Sequence, residues 1–150
     1  MILGILLLAN SCGSGGPALG VPDHIVTIRR SNGVVERLHV WVADNDAERA
    51  RGLMGVTQLL PSQGMAFLFD SPSIESFWMK DTLIPLSVAF VDNRGGIVTI
   101  REMEPCRSDP CPTYSSDAPY VMAIEANRGW FENNGVRIGD PASLEAVASA

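Results

Sequence analysis

The sequence predicts a mainly β domain with two short helices, folded as a rolled antiparallel sheet or a partly open β-barrel. Segments rich in β-branched and aromatic residues alternate apolar and polar positions, as strands with one buried face do. Clusters of Gly, Asn, Asp and Pro separate these segments, and only two stretches have the spacing of a helix. Six or seven short strands joined mostly by hairpins imply antiparallel pairing.

The length of the chain suits a single domain. An apolar content of 46% over 150 residues is sufficient for one sizeable core. We expect a signal-like segment over residues 1–12, a flexible tether over 13–22 and a single β-rich domain over 23–141. Residues 142–150 are interpreted as a C-terminal tail, and the alanine-rich end from Ser143 is expected to fray.

The N-terminal segment resembles a bacterial lipoprotein signal. Residues 2–9 are almost wholly apolar, but this run is shorter than the roughly 20 residues that span a bilayer. Cys12 follows, and the Gly- and Ser-rich residues 13–17 after it are typical of a flexible tether. We therefore expect Cys12 to be lipidated and to anchor an exported protein to the periplasmic side of a membrane. Because no Lys or Arg precedes the apolar run, simple secretion and a cytoplasmic location remain alternatives.

The first part of the domain is predicted to form a hairpin and then a helix. Residues 24–30 and 34–43 have the composition of strands, and Asn32-Gly33 between them is a strong hairpin turn. Asn45 can cap the helix, because Glu48 lies three residues later, as a capping box requires. A glycine then ends the helix.

The middle of the domain is predicted to contain three strands. After a loop over residues 56–63, alternating aromatic and apolar residues over 65–69 form one strand, and residues 70–73 have the composition of a turn. Residues 74–80 are interpreted as the next strand. A further strand begins at Pro85.

The last part is predicted to hold two more strands and the second helix. A turn over residues 92–96 leads into a strand over 97–103, and a proline-rich loop follows over 104–118. Residues 120–125 read as a strand or as the approach to a helix. Residues 129–135 are typical of a short helix closed by a glycine.

Two of the three cysteines lie close together in the proline-rich loop. A disulfide between Cys106 and Cys111 is sterically plausible and suits an oxidising compartment, in agreement with export. It would leave Cys12 as the odd cysteine, as a lipid acceptor should be. A redox-active or metal-binding pair is the alternative, although the spacing is not that of Cys-x-x-Cys.

Charge and composition exclude several classes of partner. The net charge is −6 and no basic stripe is present, so we expect no nucleic-acid partner. Neither His24 nor His39 has a neighbour at metal-ligand spacing, and no glycine-rich phosphate loop joins a strand to a helix. We therefore predict neither a metal nor a cofactor.

The best candidate site is a polar cluster beside an aromatic residue. Trp78, Lys80 and Asp81 lie at a predicted strand end, and Glu125 could reach the same end of the sheet. Together they could form a ligand pocket with an aromatic wall. The alternative is a structural Lys–carboxylate pair with Trp78 in the core. No catalytic residues are identified.

The order of several motifs resembles a family of bacterial and archaeal proteins, domain of unknown function 192, over roughly residues 34–141. The motifs are Gly52-Leu53-Met54, Gly64-Met65, Phe77-Trp78-Met79-Lys80, Pro85-Leu86, Ile124-Glu125, Gly129-Trp130 and Gly139-Asp140. The resemblance implies a β-rich fold and often an exported context, without an established reaction. Ser87 stands where an acidic residue commonly follows Pro-Leu in this family, which argues against an acid–base role at that position.

Three hypotheses for the function follow. The favoured one is a membrane-tethered binding or accessory module of the cell envelope, whose ligand is a small molecule or an envelope protein. The second is a hydrolase that uses Lys80, Asp81 or Glu125, and a carboxyl with a perturbed pKa in a deep cleft would favour it. The third is a structural or assembly factor that binds another envelope protein through a sheet edge or residues 104–118, and a flat exposed apolar patch would favour it.

Overall fold

The structure, a computed structural model, describes residues 19–148. Within this range, nine strands and two short helices follow one another along the chain. Their bounds are β1 His24–Arg29, β2 Val35–Ala43, α1 Asp46–Arg51, β3 Gln63–Ser73, β4 Phe77–Trp78, β5 Leu86–Val91, β6 Ile97–Met103, β7 Thr113–Tyr114, β8 Tyr120–Asn127, α2 Trp130–Asn133 and β9 Ala142–Ala146.

Seven of these strands form one curled sheet with the shape of a half-barrel. The strand order is β6-β5-β8-β3-β2-β1-β9, and the remaining two strands, β4 and β7, pair in a separate short ribbon. This architecture confirms the predicted mainly β fold with two short helices and a rolled sheet.

One pairing in the sheet is parallel, which the expectation of hairpin connections did not foresee. Strands β2 and β3 run in the same direction, from His39 opposite Gln63 to Ala43 opposite Phe67. Parallel neighbours need a crossover connection rather than a tight turn. The chain supplies it with α1 and the loop that follows, and this crossover places α1 beside the sheet.

Two apolar clusters cover the two faces of the sheet. One contains Ile28, Leu38 and Ile124 and packs against Trp130 and Phe131 at helix α2. The other lies beneath α1 and the β4–β7 ribbon, and its members include Phe67, Met79, Phe90, Met103 and Tyr120. The second face carries the candidate site described below.

The local turn and cap signals are confirmed. Gly33 has a φ of 83° in the β1–β2 turn, a conformation that glycine adopts without strain. The Asn45 side chain accepts a hydrogen bond from the Glu48 N–H at 3.0 Å, and the Gly52 N–H closes the helix on the Glu48 carbonyl at 2.8 Å.

Two predictions in the middle of the domain are wrong. Residues 70–73 do not form a turn, because β3 continues through them to Ser73 with a register shift against β8 between Leu68 and Ser73. A proline is tolerated in a strand where the ladder of hydrogen bonds is interrupted, and Pro72 lies at such a place. The strand predicted over residues 74–80 is limited to the two residues of β4.

The C-terminal segment is also more ordered than expected. Residues 142–146 form β9, which pairs with β1 from His24 opposite Ala146 to Ile28 opposite Ala142. This strand satisfies backbone groups that β1 would otherwise expose at the sheet edge. The prediction of a frayed end from Ser143 is therefore wrong for this segment.

The N-terminal predictions fall almost entirely outside the described residues. These are the signal-like segment 1–12, lipidation at Cys12, and residues 13–18 of the expected tether. In the described part of the chain, no helix has both the length and the apolar character required to cross a bilayer.

Candidate functional site

A cleft of ≈ 430 Å³ opens between α1, the C-terminal half of β3, β4 and β8. We call it the aromatic cleft. Its aromatic lining consists of Phe67, Phe69, Phe77, Trp78 and Tyr120. Its polar and charged lining consists of Asp46, Arg49, Arg51, Glu75, Ser76, Thr82 and Glu125. A cleft of this size is comparable with those that bind small molecules, which have volumes of about 300–1,000 Å³.

Glu125 is the most unusual residue of this lining. It lies on β8, and its neighbours directly opposite are Met65 on β3 and Val88 on β5, so hydrocarbon surrounds it across the sheet. The residue is only 6% exposed, and within residues 19–148 no hydrogen bond to its carboxyl group offsets the desolvation that burial causes. Burial raises the pKa of Glu125 to about 8, because an apolar surrounding disfavours the charged form.

The wall opposite α1 is a cluster of aromatic rings. Phe77 packs edge-on against Phe67 and Phe90, with ring centroids 5.0 Å and 5.4 Å apart. The Tyr120 hydroxyl donates a hydrogen bond to the Glu75 carbonyl at 2.7 Å, and burial raises the pKa of Tyr120. These contacts fix the wall, since aromatic pairs in this geometry add to the stability that area burial provides.

Trp78 lies at the mouth of the cleft rather than in the core. It is 52% exposed, whereas the adjacent Phe77 packs into the aromatic cluster. The interpretation of Trp78 as a core residue is therefore wrong.

One cation of the cleft lining is already engaged by the protein. The Arg49 guanidinium lies over the Phe69 ring, 5.1 Å from its centroid. It also donates hydrogen bonds to the Leu68 carbonyl at 2.7 Å and to the Asp46 carboxylate. These contacts hold α1 against β3 and form one side of the cleft.

Lys80 and Asp81 do not line the cleft. The Lys80 ammonium pairs with Asp109 at 2.8 Å, and this contact raises the pKa of Lys80. The Asp81 backbone has a φ of 55°, accepts from the Gly55 N–H at 3.0 Å and donates to the Cys106 carbonyl at 2.9 Å. The structure thus brings Trp78 and Glu125 to one cleft, and leaves Lys80 and Asp81 to hold the neighbouring loop.

That loop supports the β4 wall. Cys106 and Cys111 form a disulfide with their Cα atoms 5.8 Å apart. Further along the loop, β7 pairs with β4, and the Ser76 and Ser115 hydroxyls are hydrogen-bonded at 2.7 Å. Because β4 has no strand partner other than β7 among the described strands, the disulfide-bonded loop supports this wall together with the aromatic contacts of Phe77.

The described residues offer no evident metal centre. In residues 19–148, no three His, Cys, Asp or Glu side chains lie close enough together to hold a metal ion. His24 contacts the Asp23 carboxylate at 2.8 Å, and His39 is exposed on β2.

The model of the domain of unknown function 192 family (DUF192), described as "Uncharacterized ACR", matches residues 27–144. The chain belongs to this family. No curated protein sequence gives a significant match.

Solved structures similar to this DUF192 chain include the following two. One comes from Sinorhizobium meliloti 1021 and is described as a "putative transcription regulator". It is 28% identical, with a TM-score of 0.75 over 83% of this chain and 95% of that chain. The other, a protein of unknown function from Novosphingobium aromaticivorans DSM 12444, is 29% identical. Its TM-score is 0.72 over 79% of this chain and 83% of that chain.

Sequence reasoning missed the side of the cleft that α1 provides. Arg49 and Asp46 are three positions apart on a short exposed helix, a pattern that ordinarily indicates only a surface ion pair. Thr82 was also missed as a buried lining residue, although it lies next to Asp81 in the sequence. The parallel β2–β3 crossover places α1 over the cleft, and no local signal in the sequence predicts that crossover.

Proposed function

We propose that this DUF192 protein is a small-molecule-binding module tethered to a membrane of the cell envelope. The observation that carries the binding function is Glu125, a buried carboxyl without a partner that lines an aromatic cleft. A group of this kind costs stability, since burial without a hydrogen bond removes the water that would solvate it. Groups with strongly perturbed pKa values in clefts are enriched at functional sites.

The envelope location is supported by two features. Cys12 follows a short apolar segment, as the acceptor cysteine of a lipoprotein signal does. The Cys106–Cys111 disulfide agrees with an oxidising, exported environment, because disulfides seldom persist in the cytosol. A tether of about ten residues would leave the domain, and the mouth of the cleft, free to meet ligands near the membrane.

The binding function can be tested without knowledge of the ligand. Ala50 and Ala47 are both exposed residues of α1, but only Ala50 lines the cleft. Ala50→Trp should place an indole in the cleft, and Ala47→Trp adds the same group to the same helix outside it. A library of small molecules would be screened by NMR for shifts at Phe77, Trp78 and Tyr120.

We expect compounds that shift these resonances in the wild type and in Ala47→Trp, but not in Ala50→Trp. Compounds that bind all three proteins equally would show that the binding surface is elsewhere. A folded wild-type protein that binds nothing from a diverse library would contradict the proposed function.

A hydrolase is the second candidate, and the raised pKa of Glu125 favours it. A carboxyl with a pKa of about 8 holds its proton at neutral pH and could act as a general acid. The predicted partners Lys80 and Asp81 do not line the cleft, so a second carboxyl would have to come from Asp46 or Glu75. Turnover of chromogenic esters or glycosides that is lost in Glu125→Gln, while binding is retained, would establish this function instead.

A further inference from the structure

We infer that the ligand of the aromatic cleft is a protonated organic amine with an apolar body, whose ammonium group pairs with the Glu125 carboxylate. This inference rests on the proposed function and names the class of ligand. It combines three observations: an unpartnered acid, the absence of any contact between this acid and a cation of the described residues, and an aromatic lining that already holds one cation.

The counter-charge for Glu125 does not come from the described part of the chain. Of the cations nearby, Arg49 donates to the Leu68 carbonyl and to Asp46, and Lys80 pairs with Asp109. Arg51 lines the cleft but is exposed at its edge, and no contact joins it to Glu125. A buried carboxylate needs a cation or several hydrogen bonds to be stable in its charged form. A cationic ligand would supply both.

The rest of the lining suits an organic cation. A cation is attracted to the face of an aromatic ring, and Trp78, Phe77 and Tyr120 line the same cleft as Glu125. The protein itself provides an example, because the Arg49 guanidinium lies 5.1 Å from the centroid of the Phe69 ring. The apolar surface of these rings would at the same time bind the hydrocarbon part of the ligand.

The pairing requires a proton to leave the site. Near neutral pH the free protein holds Glu125 protonated, because burial raises its pKa to about 8. The other charged or titratable groups of the lining are Asp46, Arg49 and Arg51 of α1, Glu75 after β3 and Tyr120 of β8. The facing residues of β3 and β5 are the apolar Met65 and Val88. Binding of an ammonium ion to the carboxylate therefore releases close to one proton to the buffer.

The test uses phenethylamine and its uncharged analogue phenethyl alcohol. Both would be titrated by calorimetry near neutral pH into the wild type, Glu125→Gln and the control Glu132→Gln, whose exposed glutamate lies on α2. Two buffers of different ionisation enthalpy count the protons released. We expect the amine to bind on the order of tenfold more tightly than the alcohol, with proton release, in the wild type and the control. Glu125→Gln should lose that preference and the proton release, and should bind the alcohol unchanged.

The outcomes separate this inference from the proposed function. The amine and the alcohol could bind with equal affinity, and Glu125→Gln could leave this binding unaffected while Ala50→Trp abolishes it. That result would overturn the inference of an amine ligand but would still support a binding cleft. Tighter binding of the amine without proton release would also overturn it, since the carboxylate would not be its partner. Failure of both probes to bind would overturn the amine, and the library screen would then decide the binding function separately.

Discussion

Replacement of Glu125 by glutamine should stabilise the protein at neutral and alkaline pH. Glutamine has nearly the same shape as glutamic acid but cannot ionise. In the folded protein burial raises the pKa of Glu125 from 4.5 to about 8, and the unfolded chain keeps the lower value. The folded protein therefore keeps this proton at pH values at which the unfolded chain has already lost it.

The sign and size of the effect follow from proton linkage. Below pH 4.5 the carboxyl is protonated in both states and contributes no difference. Between 4.5 and about 8 only the unfolded chain has lost the proton, so the free energy of unfolding falls as the pH rises, by about 1.4 kcal/mol per pH unit. The loss reaches about 3 kcal/mol at neutral pH and about 5 kcal/mol above the folded-state pKa.

Glu125→Gln removes this loss, so its advantage over the wild type should be small in acid and about 3 kcal/mol near neutral pH. That is roughly 10 °C in melting temperature for a domain of this size. The assay is urea unfolding of wild type, Glu125→Gln and the exposed control Glu132→Gln from about pH 5 to about pH 9. If the wild-type and Glu125→Gln free energies run parallel across this range, Glu125 ionises normally in the folded protein and the reasoning fails.

Three further predictions concern the anchor, the loop and the cleft wall. Expressed in a bacterial host, the protein should begin at a lipidated Cys12, which mass spectrometry of the N-terminal peptide would show. Detection of an intact Met1 on membrane-free protein would contradict this. Peptide mapping without reductant should recover Cys106 and Cys111 in one linked peptide, and two freely alkylated thiols in exported protein would exclude the disulfide. Phe77→Ala should cost about 2–3 kcal/mol more in thermal melts than Trp78→Ala, because only Phe77 packs in the aromatic cluster. Equal costs would count against this description of the wall.

The parts of the fold that the sequence predicts well are those with local causes. Asn32-Gly33 forms its turn and Asn45 caps α1 because the deciding interactions lie within a few residues. The errors have non-local causes. Strand β9 exists because the edge of β1, more than 100 residues earlier, offers unpaired backbone groups, and β2 and β3 are parallel because of a crossover.

Only part of the candidate site was predicted, because non-local contacts decide which residues line the cleft. Trp78 and Glu125 line the cleft, because β4 and β8 meet on one face of the fold. Lys80 and Asp81 were grouped with Trp78 by sequence adjacency, but the chain leaves β4 there and turns at Asp81, whose φ is 55°. Adjacent residues at a strand end therefore face different surroundings, and Arg49 comes from an element that no local pattern places nearby.

The packing of the backbone fixes the position of Glu125 in the sheet. Its backbone lies so close to β3 that a Cβ on Gly64 would clash with the Glu125 carbonyl and with Leu38. The register of β8 is thereby fixed, and with it the face on which the side chain lies. A hydrocarbon side chain would suit its neighbours Met65 and Val88 better, and proteins gain stability readily by such changes when function does not oppose them. An acid held at this cost, on a cleft of aromatic rings, is the group with which the proposed amine ligand would pair.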